Sequence, residues 1–417
     1  MMFAGRVISA AAVLRRWRPD GLDVLALPPF RRLLAGEVLG DLSGNMRLVA
    51  QSWLVLELTD SSLWVGLAAG ARGIPAVLLG LFGGVAADRL NRRLVIVAVL
   101  GGLSGLAVIT ALRVASGDLR AWHLVAMSAA TGIGIAFGLP AVYSVVAGIV
   151  PAARLSNALG LTAMSWGSAE MVAPAIAGAL LARTGADVVF WVIAGGYAVA
   201  MFLWLRVPEP QRSPVTERRS VMTDLAAGLG FIRRTQPLPA VTLLAFEGNL
   251  LAVAVFPLIP VYARDVLNAG AGGFGLLAGA MGAGGLCGAV SLSAFGNFRR
   301  RGWTLLLTGV VWDACMVSFG FSRSLPLSMA LLFVMAFAGG VWANAAITIF
   351  QTAAGDAMRG RVMGVWGMAQ AMFPVGWLVG GALAQAVGNE RALIISALCG
   401  TPVAIALFLL SPSLRKA

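Results

Sequence analysis

The sequence predicts an all-α integral membrane protein with twelve transmembrane helices in two six-helix halves. Three observations predict it. The 417 residues are 59% hydrophobic and 12% charged, with a mean hydropathy of +0.87, whereas soluble domains carry about 25% charged residues. Twelve apolar runs have the roughly 20-residue length that crosses a bilayer core at 1.5 Å per residue. One long polar interruption divides them six and six.

The first six runs cover approximately residues 32–57, 62–86, 93–115, 121–147, 157–182 and 187–206. The second six cover 238–262, 273–296, 302–321, 325–350, 362–387 and 391–411. The expected organisation is therefore a basic cytoplasmic lead (1–31), an N-terminal half (32–206), a linker (207–237), a C-terminal half (238–411) and a short tail (412–417). Arg6, Arg15, Arg16 and Arg18 flank an apolar stretch too short to span, so the lead is expected to be cytoplasmic or interfacial and not a signal peptide. Within the linker, Val221, Leu225, Leu229 and Ile232 recur at helical spacing beside basic residues, which predicts a short interfacial helix.

A net charge of +13 raises the question of a nucleic-acid partner, and the placement of the charges answers it. About 23 of the 31 Lys and Arg fall in the termini and in the loops after even-numbered spans. This bias puts both termini in the cytoplasm of a cell with the chain in its inner (plasma) membrane, and it accounts for the charge without nucleic acid. Cys287, Cys315 and Cys399 lie inside apolar runs without paired spacing and are expected to be small core residues.

The second span leaves the membrane as "GGVAADRLNRRLVI", with Gly84, Asp88, Arg89, Arg92 and Arg93 in a tight turn. This turn resembles the signature loop of the major facilitator superfamily, Gly-x-x-x-Asp-Arg-x-Gly-Arg-Arg, with Asn91 where Gly is usual. Asn tolerates the left-handed backbone that a tight turn is expected to need. The stretches 149–181 and 355–388 resemble the branch of macrolide-efflux and enterobactin-exporter proteins. The resemblance implies alternating access between two halves, with Asp88 closing the cytoplasmic side against the start of helix eleven, near Met358 to Val362, and gaining from that helix's dipole.

The first span holds Glu37, Asp41, Asn45, Arg47 and Gln51. At about 100° per residue, Glu37, Asp41, Asn45, Leu48, Gln51 and Ser52 share one third of the circumference, with Arg47 at its edge. Charges facing lipid cost several kcal/mol, so this stripe is expected to line a water-accessible path. Asp41 is the first candidate for a carboxyl that loads and releases a proton. The alternative is a permanent ion pair with Arg47 or Arg72. Glu37, Glu170 and Glu247 are further coupling candidates, and Asp313 ranks lower because its helix is usually peripheral in the resembling fold.

For the substrate cavity the candidates are Asn45, Gln51, Asn249, Trp342, Asn344, Trp366 and Gln370, which combine aromatic surface with amide groups. No metal cluster, nucleotide motif or cofactor signature is present, so energy is expected from a proton gradient, with sodium possible. An intramembrane serine protease is weighed on "GLSG" with Ser104 and the single His123, but about ten residues of depth separate that pair. The expectation is a non-enzymatic, monomeric exporter of small amphipathic molecules such as a drug, macrolide or siderophore. Import of a small metabolite is the alternative.

Overall fold

The computed structural model describes residues 20–210, 221–295 and 300–416. Most of the basic lead, residues 211–220 of the linker and residues 296–299 fall outside them. The N-terminal half comprises α1 (Pro28–Thr59), α2 (Ser62–Arg89), α3 (Arg92–Ala115), α4 (Ala121–Ile149), α5 (Leu155–Thr184) and α6 (Ala186–Leu205). A bridging helix (Val221–Arg234) follows. The C-terminal half comprises α7 (beginning as Leu238–Leu250), α8 (Gly270–Phe295), α9 (Arg301–Phe321), α10 (Leu325–Ala353), α11 (Asp356–Gln370 continued by Phe373–Val387) and α12 (Asn389–Leu410).

Local chemistry sets the ends of these helices. Prolines occupy the first turn of α1, where the missing N–H costs nothing, and Asp60 ends it in the left-handed conformation (φ 49°). Ser61 then caps α2 by accepting from the Trp64 N–H. Gly185 and Gly388 both take φ 92° at the turns from α5 to α6 and from α11 to α12, a conformation that L side chains rarely adopt.

Among the described residues ten helices are long and apolar enough to cross a membrane; α1 and α5 are long helices that fall short by composition, and they pack on each other. Two helices depart from the expected continuous runs. After Leu250, α7 passes through a 3₁₀ stretch (Ala252–Leu258) that holds Pro257 and ends in π-helical turns (Tyr262–Val266). Its partner α11 breaks at Ala371 and Met372, just before Pro374.

The halves meet along two seams, α2 on the second segment of α11 and α5 on α8. Both seams are built from glycine. "VGLAAGARG" (65–73) in α2 is repeated as "FGLLAGAMG" (274–282) in α8, and "GALLARTG" (178–185) in α5 as "GALAQAVG" (381–388) in α11. A methyl on Gly66 would stand 2.7 Å from the Trp377 carbonyl oxygen, and one on Gly275 2.5 Å from that of Pro174. Neither position admits a side chain.

The bridging helix docks on the first segment of α11: Ile232 is buried there, and a methyl on Gly228 would lie 2.6 Å from the Arg361 carbonyl oxygen. Of the expected apolar stripe, Ile232 is buried and Leu225 Cδ2 would lie 3.3 Å from a methyl on Gly364 of α11, while Leu229 stays 40% exposed. Cys287 and Cys399 are exposed and not core residues, since small side chains also tile the outer faces of spanning helices.

Candidate functional site: a central cavity between the halves

The turns α1 to α2, α7 to α8 and α11 to α12 all lie at one end of the bundle, here called distal, away from the chain termini. Hydrogen bonds tie the halves together there. Ser61 donates to Gln385 Oε1 (2.8 Å), Ser62 to Asn389 Oδ1 (2.9 Å) and Arg264 to the Leu56 carbonyl (3.2 Å), while Arg264 also pairs with Asp60. The first segment of α11, at the terminus-proximal end, packs instead on the bridging helix, α7 and α10 of its own half. The distal end is the closed one.

Beneath this closure lies a cavity of about 380 Å³. The N-terminal half contributes Asn45, Leu48 and Ser52 from α1 and Glu170 from α5. The C-terminal half contributes Glu247 and Asn249 from α7, Asp313 from α9, Trp342 from α10, and Trp366 and Gln370 from α11. Asn249 donates to Gln370 Oε1 (2.8 Å), which joins two of the expected residues across α7 and α11. Trp342 and Trp366 stack with centroids 6.2 Å apart. Near the distal end, Phe256, Phe373 and Trp377 form a second aromatic group with centroids 5.9–6.4 Å apart.

The stripe on α1 divides between three surfaces. Asn45, Leu48 and Ser52 face the cavity. Asp41 does not line it, because its carboxylate accepts from Ser165 of α5 at 2.7 Å, and Glu37 accepts from Trp204 Nε1 of α6 at 3.2 Å. Gln51 turns the other way, donating to the Leu124 carbonyl (2.7 Å) and to Ser128 Oγ (2.5 Å) of α4. The expected lining role of Gln51 is corrected on that geometry: α4 supplies its acceptors inside the half. Asn344 is likewise drawn away, donating to the carbonyls of Ala289 and Gly340 at 3.1 Å each.

The arginines also differ from the expected ion pair. Arg47, 2% exposed, donates to Gln51 Oε1 (2.5 Å) and not to Asp41. Its Nε and Nη2, and Nε of Arg72, have no hydrogen-bond partner among the described residues. Arg72 lies within electrostatic range of Arg47, Tyr197 and Glu170. Asp313, ranked low from its helix number, lines the cavity and accepts from Thr401 (2.6 Å).

Asp88 and Gly84 of the signature loop belong to α2, but the burial of Gly84 and the side chain of Asp88 lie outside what is described. Asn91 is not left-handed; at φ −70° it is the N-cap of α3 and accepts from the Leu94 N–H (3.0 Å). Glu209, which sequence reasoning missed, accepts from the N–H groups of Arg92 and Arg93 at 3.0 Å each, and Arg93 reaches the carbonyls of Leu205 and Val207. A carboxylate on a helix N-terminus thus ties the loop to the exit of α6. The signal for it was available, as an acid in the Pro-rich "RVPEP" beside the arginines. Ser104 donates to the Ala194 carbonyl and His123 accepts from the Arg120 N–H, so the two form no catalytic dyad.

The family model described as "Transmembrane secretion effector", of the major facilitator superfamily, matches residues 21–416. The chain belongs to that family. It is a membrane transporter and not an enzyme. The multidrug efflux pump Tap of Mycolicibacterium fortuitum is 30% identical over 384 residues, covering 87% of this chain and 90% of that protein. The enterobactin exporter EntS of Shigella boydii serotype 18 is 28% identical over 377 residues, covering 89% and 88%. Among solved structures, an inward-facing bacterial homologue of the human lysosomal transporter Spinster superposes with a TM-score of 0.73 at 16% identity, covering 93% and 96%, which supports the twelve-helix fold.

Proposed function

We propose that this multi-pass transporter is a proton-driven exporter of small amphipathic molecules that works as a monomer, with its terminus-proximal end in the cytoplasm of the cell that carries it in its inner membrane. The carrying observation is a cavity of about 380 Å³, closed at the distal end and walled by aromatic, amide and carboxylate side chains. The arginine-rich loops cluster at the terminus-proximal end, which supports a cytoplasmic orientation. On that orientation the structure is the inward-facing state. The names of the relatives, a multidrug efflux pump and a siderophore exporter, support outward transport.

Glu170 is the acid best placed for coupling. It lines the cavity, and its backbone carries the α5–α8 seam, where a methyl on Gly282 would stand 2.3 Å from its carbonyl oxygen. Arg72, within electrostatic range, offers its carboxylate a partner whenever the cavity is closed to water. A proton taken from one side and released when Arg72 takes its place couples the gradient to the rocking of the halves.

Everted membrane vesicles test the reading. Dyes and antibiotics should accumulate when a proton gradient is imposed, and accumulation should collapse with a protonophore. Accumulation sustained by sodium alone would replace the proton, and movement only in the opposite direction would make the protein an importer.

A further inference from the structure

We propose that the C-terminal wall of the cavity recognises a positively charged group, so that the substrates of this transporter are amphipathic organic cations. The inference deepens the exporter reading and rests on it for its physiological meaning.

Glu247 of α7 and Asp313 of α9 converge over Gly400 of α12. A methyl on Gly400 would stand 2.6 Å from Glu247 Oε1 and 3.4 Å from Asp313 Oδ2, so both carboxylates border one small space that only glycine leaves open. Thr401, the next residue, donates to Asp313 Oδ2 at 2.6 Å and fixes that carboxylate from one side.

Two acids alone would not define a ligand; their surroundings do. No Lys, Arg or His is among the described residues that line the cavity, so nothing built into the wall neutralises this pair. Glu170 is different, because Arg72 stands within its electrostatic range, and it is therefore left to coupling. Beside the pair, Trp312 is pinned by its Nε1 to the Ala252 carbonyl at 3.0 Å, and the stacked Trp342 and Trp366 line the same cavity. Aromatic faces attract cations and offer apolar area to the body of the molecule, while Asn249 and Gln370 add amide groups.

Charge arithmetic decides between ligand classes. An anion in this cavity would be repelled by the carboxylates of Glu247 and Asp313 in surroundings of low dielectric. A neutral molecule would displace water from two neighbouring carboxylates and bring no positive charge to either, leaving Asp313 only its bond from Thr401. A cation of drug size fits both the charge and the volume, since such pockets run from about 300 to 1,000 Å³.

Tetraphenylphosphonium and tetraphenylborate have the same shape and opposite charge. The test titrates each into the purified full-length protein and reads tryptophan fluorescence. Saturable quenching by the phosphonium and none by the borate is expected. Glu247→Gln and Asp313→Asn should each weaken the phosphonium by roughly tenfold or more while the variants stay monodisperse. Equal or tighter binding of the borate, or no saturable phosphonium binding, overturns the proposal. So do monodisperse variants with unchanged phosphonium affinity. Should the variants misfold, the wild-type pair of titrations decides alone. A protein that binds phosphonium but moves nothing under a gradient defeats the exporter reading and leaves the cation site standing. Gradient-driven movement of neutral molecules without phosphonium binding does the reverse.

Discussion

Gly66 and Gly381 meet face to face across the α2–α11 seam: a methyl built on either one would stand 3.0 Å from the other's Cα. On the opposite side of the molecule Gly178 and Gly275 repeat the relationship across α5 and α8, at 2.7 and 2.9 Å. Both contacts lie toward the distal end, where the halves close.

Substituting Gly66→Val or Gly381→Val should therefore hold the distal end apart. Overpacking of this kind costs about 1–3 kcal/mol in a soluble core, enough to shift a two-state equilibrium by roughly fivefold to a hundredfold. The check is labelling of Ser52→Cys in the cavity by a membrane-impermeant maleimide added to the distal side. Labelling should be slow in the parent and fast in the variants.

Asp60 and Arg264 should act as one unit in the distal latch. An exposed ion pair contributes about 0–1 kcal/mol, so Asp60→Asn and Arg264→Gln should each raise distal labelling only a few-fold. The double variant should match the larger single effect, as a double-mutant cycle for a shared interaction requires.

Glu170→Gln should abolish transport driven by a proton gradient while sparing exchange of substrate down its own gradient. Asp41→Asn, which keeps an acceptor for Ser165 and lies outside the cavity wall, should leave gradient-driven transport within a few-fold of the parent. Paired assays in proteoliposomes separate the two carboxylates, and the opposite ranking would return Asp41 to the coupling role.

Glu209→Ala should loosen the turn before α3. Two charge-assisted bonds to backbone N–H groups disappear, at a cost of about 1–2 kcal/mol. Thermal unfolding in detergent should show a lowered Tm, and turnover should fall with substrate affinity little changed.

Much of this architecture was legible because hydrocarbon imposes a length. The spans and the bridging helix (Val221–Arg234) follow from apolar runs and their spacing. Orientation around each helix was less accessible. Asn45 and Gln51 share a stripe on α1, yet one faces the cavity and the other faces α4, because the acceptors at Leu124 and Ser128 come from a distant part of the chain. Asp313 illustrates the same limit: nothing within "GVVWDACMV" says that α7 and α12 will place Glu247 and Thr401 around it. The glycine repeats are the reverse case. "VGLAAGARG" and "FGLLAGAMG" repeat one glycine spacing in the text, and the structure shows that each lies on a seam between the halves. The distal latch was invisible, since Asp60 and Arg264 are about 200 residues apart and only the closed state joins them.

The docking of the bridging helix on α11 carries a pharmacological consequence. Gly228 and Leu225 contact Arg361 and Gly364 on the first segment of α11, ahead of the break at Ala371 and Met372. A molecule gripping the bridging helix would clamp that segment without entering the cavity. Such an inhibitor would be noncompetitive, and no increase in the concentration of the exported compound would dislodge it.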